Sequence, residues 1–186
     1  MNRKNLLIRL VVASILIASS AWAQKTPEER RVRLGVSGGL GLPKIPFGQF
    51  RTPVSLTGEG SLAFRFSHRW GLRLGGGALH TFSLGKINSQ VGELKYNLLL
   101  ATGGLMYRLG GPFGGESFVT GGPGVYRLTQ QFGGDEETYD TMGFSLGLVQ
   151  WNYRRTWSST FEVKWHFLFQ PSDNPQVVTM TFGVLF

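Results

Sequence analysis

A chain of 186 residues without cysteine has no disulfides, zinc thiolate sites, thiol nucleophiles or lipoprotein anchor. Its formal charge of +8 overstates the basic excess, because three of the positive residues lie in an N-terminal segment built to be removed. The remaining balance is 16 Lys and Arg against 11 Asp and Glu, spread singly rather than as a stripe, which excludes nucleic acid as a partner. The mixture of 27 Gly, 14 Phe, 5 Tyr and 5 Trp with only 16% charged residues is that of a membrane barrel, in which Gly lets strands curve and aromatics supply interfacial girdles.

The chain opens with Arg3, Lys4 and Arg9, then the apolar run Leu10 to Ala18, then Ala21-Trp22-Ala23. This is a secretory signal peptide over residues 1–23. Its apolar stretch of about nine residues falls well short of the roughly 20 that a spanning helix needs. Small residues at Ala21 and Ala23 place cleavage before Gln24, and residues 24–30 form a short N-terminal segment. No later segment holds 18 apolar residues in a row, which excludes a helical membrane protein. Instead, residues 31–186 alternate with period 2 in blocks of about ten, separated by Gly, Pro, Asn, Asp and Ser.

The first predicted strand sets Val32, Leu34, Val36 and Leu40 against Arg31, Arg33, Ser37 and Gly39. A loop at about 43–55 follows, with Pro43, Ile45, Pro46, Phe47, Phe50 and Pro53 more apolar than solvation requires; it either covers the barrel mouth or meets a partner. The second strand sets Leu62, Phe64 and Phe66 against Glu59, Ser61, Ala63 and Arg65. The third sets Leu72 and Leu74 against Arg73 before the Gly75-Gly76-Gly77 run.

The fourth strand, about 93–109, reads with Tyr96, Leu98 and Leu100 outward and Lys95 and Asn97 inward. Leu105, Tyr107 and Leu109 then need the opposite parity, so a bulge is expected near Gly103-Gly104. The fifth, about 116–128, contains Pro123, which asks for a similar irregularity because proline cannot donate to a ladder. A sixth covers about 139–152. The seventh has the cleanest alternation, Phe161, Val163, Trp165, Phe167 and Phe169 against Thr160, Glu162, Lys164 and His166. The eighth sets Val178, Met180, Phe182, Val184 and Phe186 against Thr179, Thr181 and Gly183.

Eight strands of about 9 to 11 residues and seven connections consume the mature chain and bring both ends to one side. The expected fold is all-β: a transmembrane, up-and-down, antiparallel β-barrel of eight strands. Loops near 43–55, 83–92, 129–138 and 170–176 would face outside, and turns near 67–70, 110–115 and 153–157 the periplasm. Trp70, Tyr96, Trp151, Trp157 and Phe169 are the expected interfacial aromatics.

The closing stretch Val178-Thr179-Met180-Thr181-Phe182-Gly183-Val184-Leu185-Phe186 resembles the C-terminal strand of outer-membrane barrels. Phe64-Arg65-Phe66 leading to Trp70-Gly71-Leu72, and Met106-Tyr107-Arg108-Leu109, are similar to strand ends of the OmpA transmembrane domain and OmpX-type barrels. The resemblance spans the mature chain. It implies a location in the cell outer membrane, insertion by the barrel assembly machinery, contact with outer-membrane lipid and lipopolysaccharide, and a sorting signal containing Phe182 and Phe186. It implies no particular activity and no extracellular ligand. The sequence ends without the peptidoglycan-binding domain of OmpA, so cell-wall anchoring is not expected.

Eight strands enclose only their own side chains, so inward charges must pair with one another. Arg33, Glu59, Arg65, Arg73, Lys95, Arg127, Glu162 and Lys164 have inward parity, with bases in excess of acids. They form either a self-satisfying ionic network or the lining of a narrow pore for ions or small solutes. A lipid-modifying enzyme is the third reading. Glu162, His166 and Ser172 are the one cluster with triad composition and are faintly similar to lipid A deacylase barrels. Those enzymes carry His and Ser on the lipid face, whereas His166 shares the inward parity of Glu162 and Lys164, and Ser172 sits in a turn-like Pro-Ser-Asp-Asn-Pro segment. His68, His80 and His166 have no metal-ligand spacing. Asp135-Glu136-Glu137 reads as a solvated loop tip, with a divalent cation as the alternative. The Gly-rich runs lack a following helix and a phosphate-binding Lys, so they are curvature devices. No catalytic residue, metal or cofactor is expected.

Overall fold

The computed structural model describes residues 31–44, 54–81, 94–110, 115–132, 135–154, 157–169 and 175–186. Residues 1–23, expected to be a signal peptide, the expected apolar first loop from Ile45 to Pro53, and Ser172 lie outside them. Eight strands follow in chain order: β1 (Val32–Lys44), β2 (Ser55–Arg65), β3 (Trp70–Thr81), β4 (Leu94–Gly110), β5 (Gly115–Phe132), β6 (Asp135–Tyr153), β7 (Ser158–Leu168) and β8 (Gln176–Leu185). Each pairs antiparallel with its chain neighbours, and β8 returns to β1, so the sheet closes as the expected up-and-down barrel. No helix among the described residues is long and apolar enough to cross a membrane, a criterion that does not bear on strands.

Alternation decides which side chains go inside. On β7, Ser158, Thr160, Glu162, Lys164, His166 and Leu168 are buried while Trp165 and Phe169 are exposed. The outward set is apolar all round the wall: Val36, Leu74, Leu105, Met142, Leu148 and Phe182 are all exposed. Water would make such a surface adhesive; hydrocarbon covers it at no cost.

The strand ends are fixed by local chemistry. Between β2 and β3 the Ser67 hydroxyl accepts hydrogen bonds from the backbone N–H of Trp70 (2.9 Å) and Arg69 (3.3 Å), a serine turn that reverses the chain in four residues. The β4–β5 register shifts between Arg108 and Gly110, and Gly110 takes φ = 110°, a conformation that glycine supplies without penalty.

Four expectations are corrected. On β4 the inward residues are Tyr96, Leu98 and Leu100, and the outward ones Leu99, Leu105 and Leu109, in one unbroken alternation with no bulge at Gly103-Gly104. Opposite Pro123 the β4–β5 ladder lapses without a change of register, because Thr102↔Gly124 and Leu105↔Gly121 belong to the same alignment. β5 and β6 are longer than expected and pair continuously up to Phe132↔Asp135, so most of the expected outer loop 129–138 is strand. Finally, Tyr96 and Trp151 are not interfacial: they are 3% and 1% exposed and sit inside the barrel.

Where the ladder lapses, glycines on both strands leave no room for a side chain. A Cβ on Gly104 would fall on the carbonyl of Gly121, and one on Gly122 on the carbonyl of Gly103. On β2, a Cβ on the outward Gly58 would meet nothing. The Gly104→Ala protein should therefore lose about 1 to 3 kcal/mol, the usual cost of overpacking. Gly58→Ala should change stability by less than about 0.5 kcal/mol. Urea unfolding of the refolded proteins measures both, and equal midpoints would contradict the close approach.

Candidate functional site

The charges meet midway along the inner wall. β7 supplies Glu162 and Lys164 at successive inward positions, β3 supplies Arg73 and β2 supplies Glu59. Arg73 Nη1 donates to Glu162 Oε1 at 2.6 Å, and Lys164 Nζ reaches Glu162 Oε1 at 3.2 Å and both oxygens of Glu59 at 2.7 and 3.0 Å. The result is a neutral chain, Glu59–Lys164–Glu162–Arg73, in which all four side chains are buried. Glycine makes room for it: a Cβ on Gly75 would collide with the Glu59 carboxylate.

Buried apolar layers flank this chain on both sides along the barrel. Toward the short turns lie Ala63, Met106, Phe118, Val149, Trp151 and Leu185, with the Phe118 and Trp151 rings 4.4 Å apart. Toward the opposite end lie Leu79, Tyr96, Leu98, Leu100, Tyr126, Leu128, Leu168 and Val177. His166 sits against the latter layer, hydrogen-bonded to Tyr126 at 3.2 Å and Thr179 at 3.4 Å, with its ring edge-on to Tyr126. Glu162 is committed to Arg73 and Lys164 and His166 to Tyr126 and Thr179, so the two do not form a base and its orienting acid.

A second cluster sits at the short-turn end. Glu116 accepts from Arg65 Nη1 at 2.8 Å, faces Arg108 Nε at 3.0 Å and accepts the hydroxyl of Tyr153. Arg33 is buried, donates to Ser158 at 3.2 Å and lies 4.8 Å over the rings of both Trp151 and Tyr153. Sequence reading passes over Glu116, which sits at a strand start beside Gly114-Gly115 where no alternation is established.

Of the residues expected in the lumen, the structure brings Glu59, Arg73, Glu162 and Lys164 into one network, places Arg65 and Arg33 in or beside the second, and leaves the Lys95 side chain outside the described residues. Arg127 is corrected: it is on the outer surface, 57% exposed, in a two-pronged ion pair with Asp140 directly across the β5–β6 ladder. The signal for that pair is Asp140 opposite it, which requires the register. Trp70, Trp157 and Phe169 are exposed at strand ends, Phe182 is exposed within β8, and Phe186 is exposed just beyond it. Among the described residues no group of His, Asp and Glu is arranged to hold a metal.

A closed eight-stranded wall, apolar outside and ionic within, defines the class of small transmembrane β-barrels. Several solved structures are similar to it, three of them as follows. Neisserial surface protein A matches over 84% of this chain and 96% of its own with TM-score 0.63 and 10% identity. The attachment invasion locus protein Ail of Yersinia pestis matches over 83% and 97% with TM-score 0.55 and 10% identity. A major outer membrane protein of Thermus thermophilus matches over 84% and 99% with TM-score 0.56 and 11% identity. The chain thus has the fold of the small outer-membrane barrels, the OmpA and OmpX kind. No family model and no curated protein matches it in sequence.

Replacing Glu162 by Gln removes the acid that both Arg73 and Lys164 face, and leaves buried bases without full compensation. The expected loss is about 3 to 5 kcal/mol, the range for breaking a buried pair. A urea midpoint within error of the wild type would show that water, not Glu162, compensates those bases.

Proposed function

We propose that this protein is a non-enzymatic outer-membrane barrel, exported through a signal peptide at residues 1–23, closed to solutes, with a structural or surface-interaction role. One observation carries the closed reading: a neutral four-residue ion chain is enclosed between two buried apolar layers, which gives an ion neither free charge to follow nor a wetted path. The exposed apolar wall supports the membrane location, and the likeness to barrels of known outer membranes agrees with it. The surface role rests on the β5–β6 hairpin, whose strands of 18 and 19 residues exceed the 10 and 11 of β8 and β7. It presents exposed Glu136, Glu137, Tyr139 and Asp140 at the end away from the short turns. The partners in this reading are outer-membrane lipid, lipopolysaccharide and, during insertion, the barrel assembly machinery.

In planar bilayers the refolded protein should insert without stepwise conductance, and it should migrate differently on gels before and after boiling, as closed barrels that leave no edge to fray do. Regular channel openings would replace this reading with the narrow pore. Deleting Phe186, whose N–H bonds the Leu34 carbonyl at 2.8 Å across the closing seam, should reduce the folded protein in outer-membrane fractions severalfold. An undiminished level in those fractions would remove Phe186 from the assembly signal.

A further inference from the structure

Among the described residues the short-turn end carries more arginine than its buried acid can pair. Glu116, the acid described there, is already shared by Arg65, Arg108 and Tyr153. Outside that cluster Arg31, Arg69 and Arg154 are exposed, and among the described residues no acidic side chain is exposed at this end. His68 beside them accepts a hydrogen bond from Arg108 Nη1 at 2.9 Å and so brings no negative charge to this end.

These arginines are not on slack loops. The Arg31 carbonyl accepts the Arg65 N–H at 2.7 Å, the Arg69 carbonyl accepts the Arg108 N–H at 2.8 Å, and the Arg154 N–H donates to the Trp157 carbonyl at 2.9 Å. They precede β1, join β2 to β3 and follow β6, so strand order places them on the half of the rim that runs from β6 through β1 to β3. Trp70 and Trp157 stand beside them, 44% and 40% exposed, with Phe66 and Phe186 also exposed. Indole rings seat at the headgroup level of a bilayer, which puts the neighbouring guanidiniums at the depth of the phosphates.

We propose that this rim is a collar for anionic phospholipid: Arg31, Arg69 and Arg154 hold the phosphates of negatively charged headgroups in the leaflet on the short-turn side. The inference rests on the outer-membrane reading, in which short turns face the periplasm and long loops the exterior. The exposed Trp70 and Trp157 favour lipid over a protein partner, because indoles at this end seat the rim at headgroup depth. Among the described residues the opposite end has the reverse sign, with Glu136, Glu137 and Asp140 exposed and Arg127 bound to Asp140, so the lipid preference is expected on one side.

The experiment uses protein purified from the outer membrane and reconstituted in phosphatidylcholine vesicles containing phosphatidylglycerol with brominated chains, which quench tryptophan on contact. A Trp165→Phe variant reports the lipid beside Trp70 and Trp157, and a Trp70→Phe/Trp157→Phe variant reports the lipid beside Trp165. Trp151 is inside the barrel in both. Phosphatidylglycerol should be preferred about fivefold at the Trp70 and Trp157 end, the factor that one arginine near an anionic surface supplies, and should show no preference at Trp165. About 1 M salt should erase the preference, because it shortens screening to roughly 3 Å. Replacing the three arginines by Ser should abolish it, and replacing them by Lys should keep it. Quenching in proportion to mole fraction at the Trp70 end, or equal preference at both ends, overturns the collar; an acidic protein partner would give the first of these. If the Ser variant does not assemble, the salt titration of the wild-type arginines decides. Brominated phosphatidylcholine that quenches neither end would show that the wall does not face lipid, and would remove the outer-membrane reading itself.

Discussion

In hydrocarbon a backbone N–H or C=O has no solvent to pair with, so a sheet can cross a bilayer only if its last strand bonds its first. In this chain the closing seam runs from Gly35↔Leu185 to Lys44↔Gln176, and reciprocal bonds between Leu34 and Phe186 extend it by one more position. Everything else is subordinate to that closure. It forces strict alternation on every strand, because a one-residue slip anywhere would exchange the lipid face for the interior along that whole strand.

Closure at eight strands also fixes how much fits inside. Long charged side chains fill the middle of the barrel because they reach across it and end in partners, while the wall beside them is reduced to Gly, Ser and Thr. Gly75 on β3 faces the Glu59 carboxylate of β2, and a Cβ on Gly143 of β6 would collide with the ring of Tyr126 on β5. Small residues on one strand are thus the counterpart of large ones on the next. The ion chain stays neutral at its centre, and the surplus of bases is displaced to the short-turn end, where Arg65 and Arg108 are 13% and 24% exposed and water takes up part of their charge.

The fold is legible because β1, β2, β7 and β8 each oppose bulky apolar residues to small or charged ones, so parity and face coincide. β4 misleads for a physical reason. Leu98, Leu99 and Leu100 are consecutive, and where the interior is itself apolar, period 2 carries no information about which face is which. Residue type alone puts Trp151 at the interface, but its ring fills the layer beside Phe118. Glu59, Arg73, Glu162 and Lys164 can be named from parity, but not their partners, since those depend on strands that meet only across the lumen. Arg127 shows the converse: its parity follows from an assumed phase for a strand that contains Pro123, and one wrong phase carries it to the wrong side of the wall.

The unequal lengths of the pairings have a kinetic side. The β5–β6 ladder zips from adjacent residues, Phe132↔Asp135 outward to Gly115↔Asn152, so each new bond closes almost no additional loop. The seam between β1 and β8 joins opposite ends of the chain and repays its entropy only when the six strands between are already in place. On contact order, the long hairpin is the pairing expected to form most readily, and the β1–β8 seam the one that closes the longest stretch of chain.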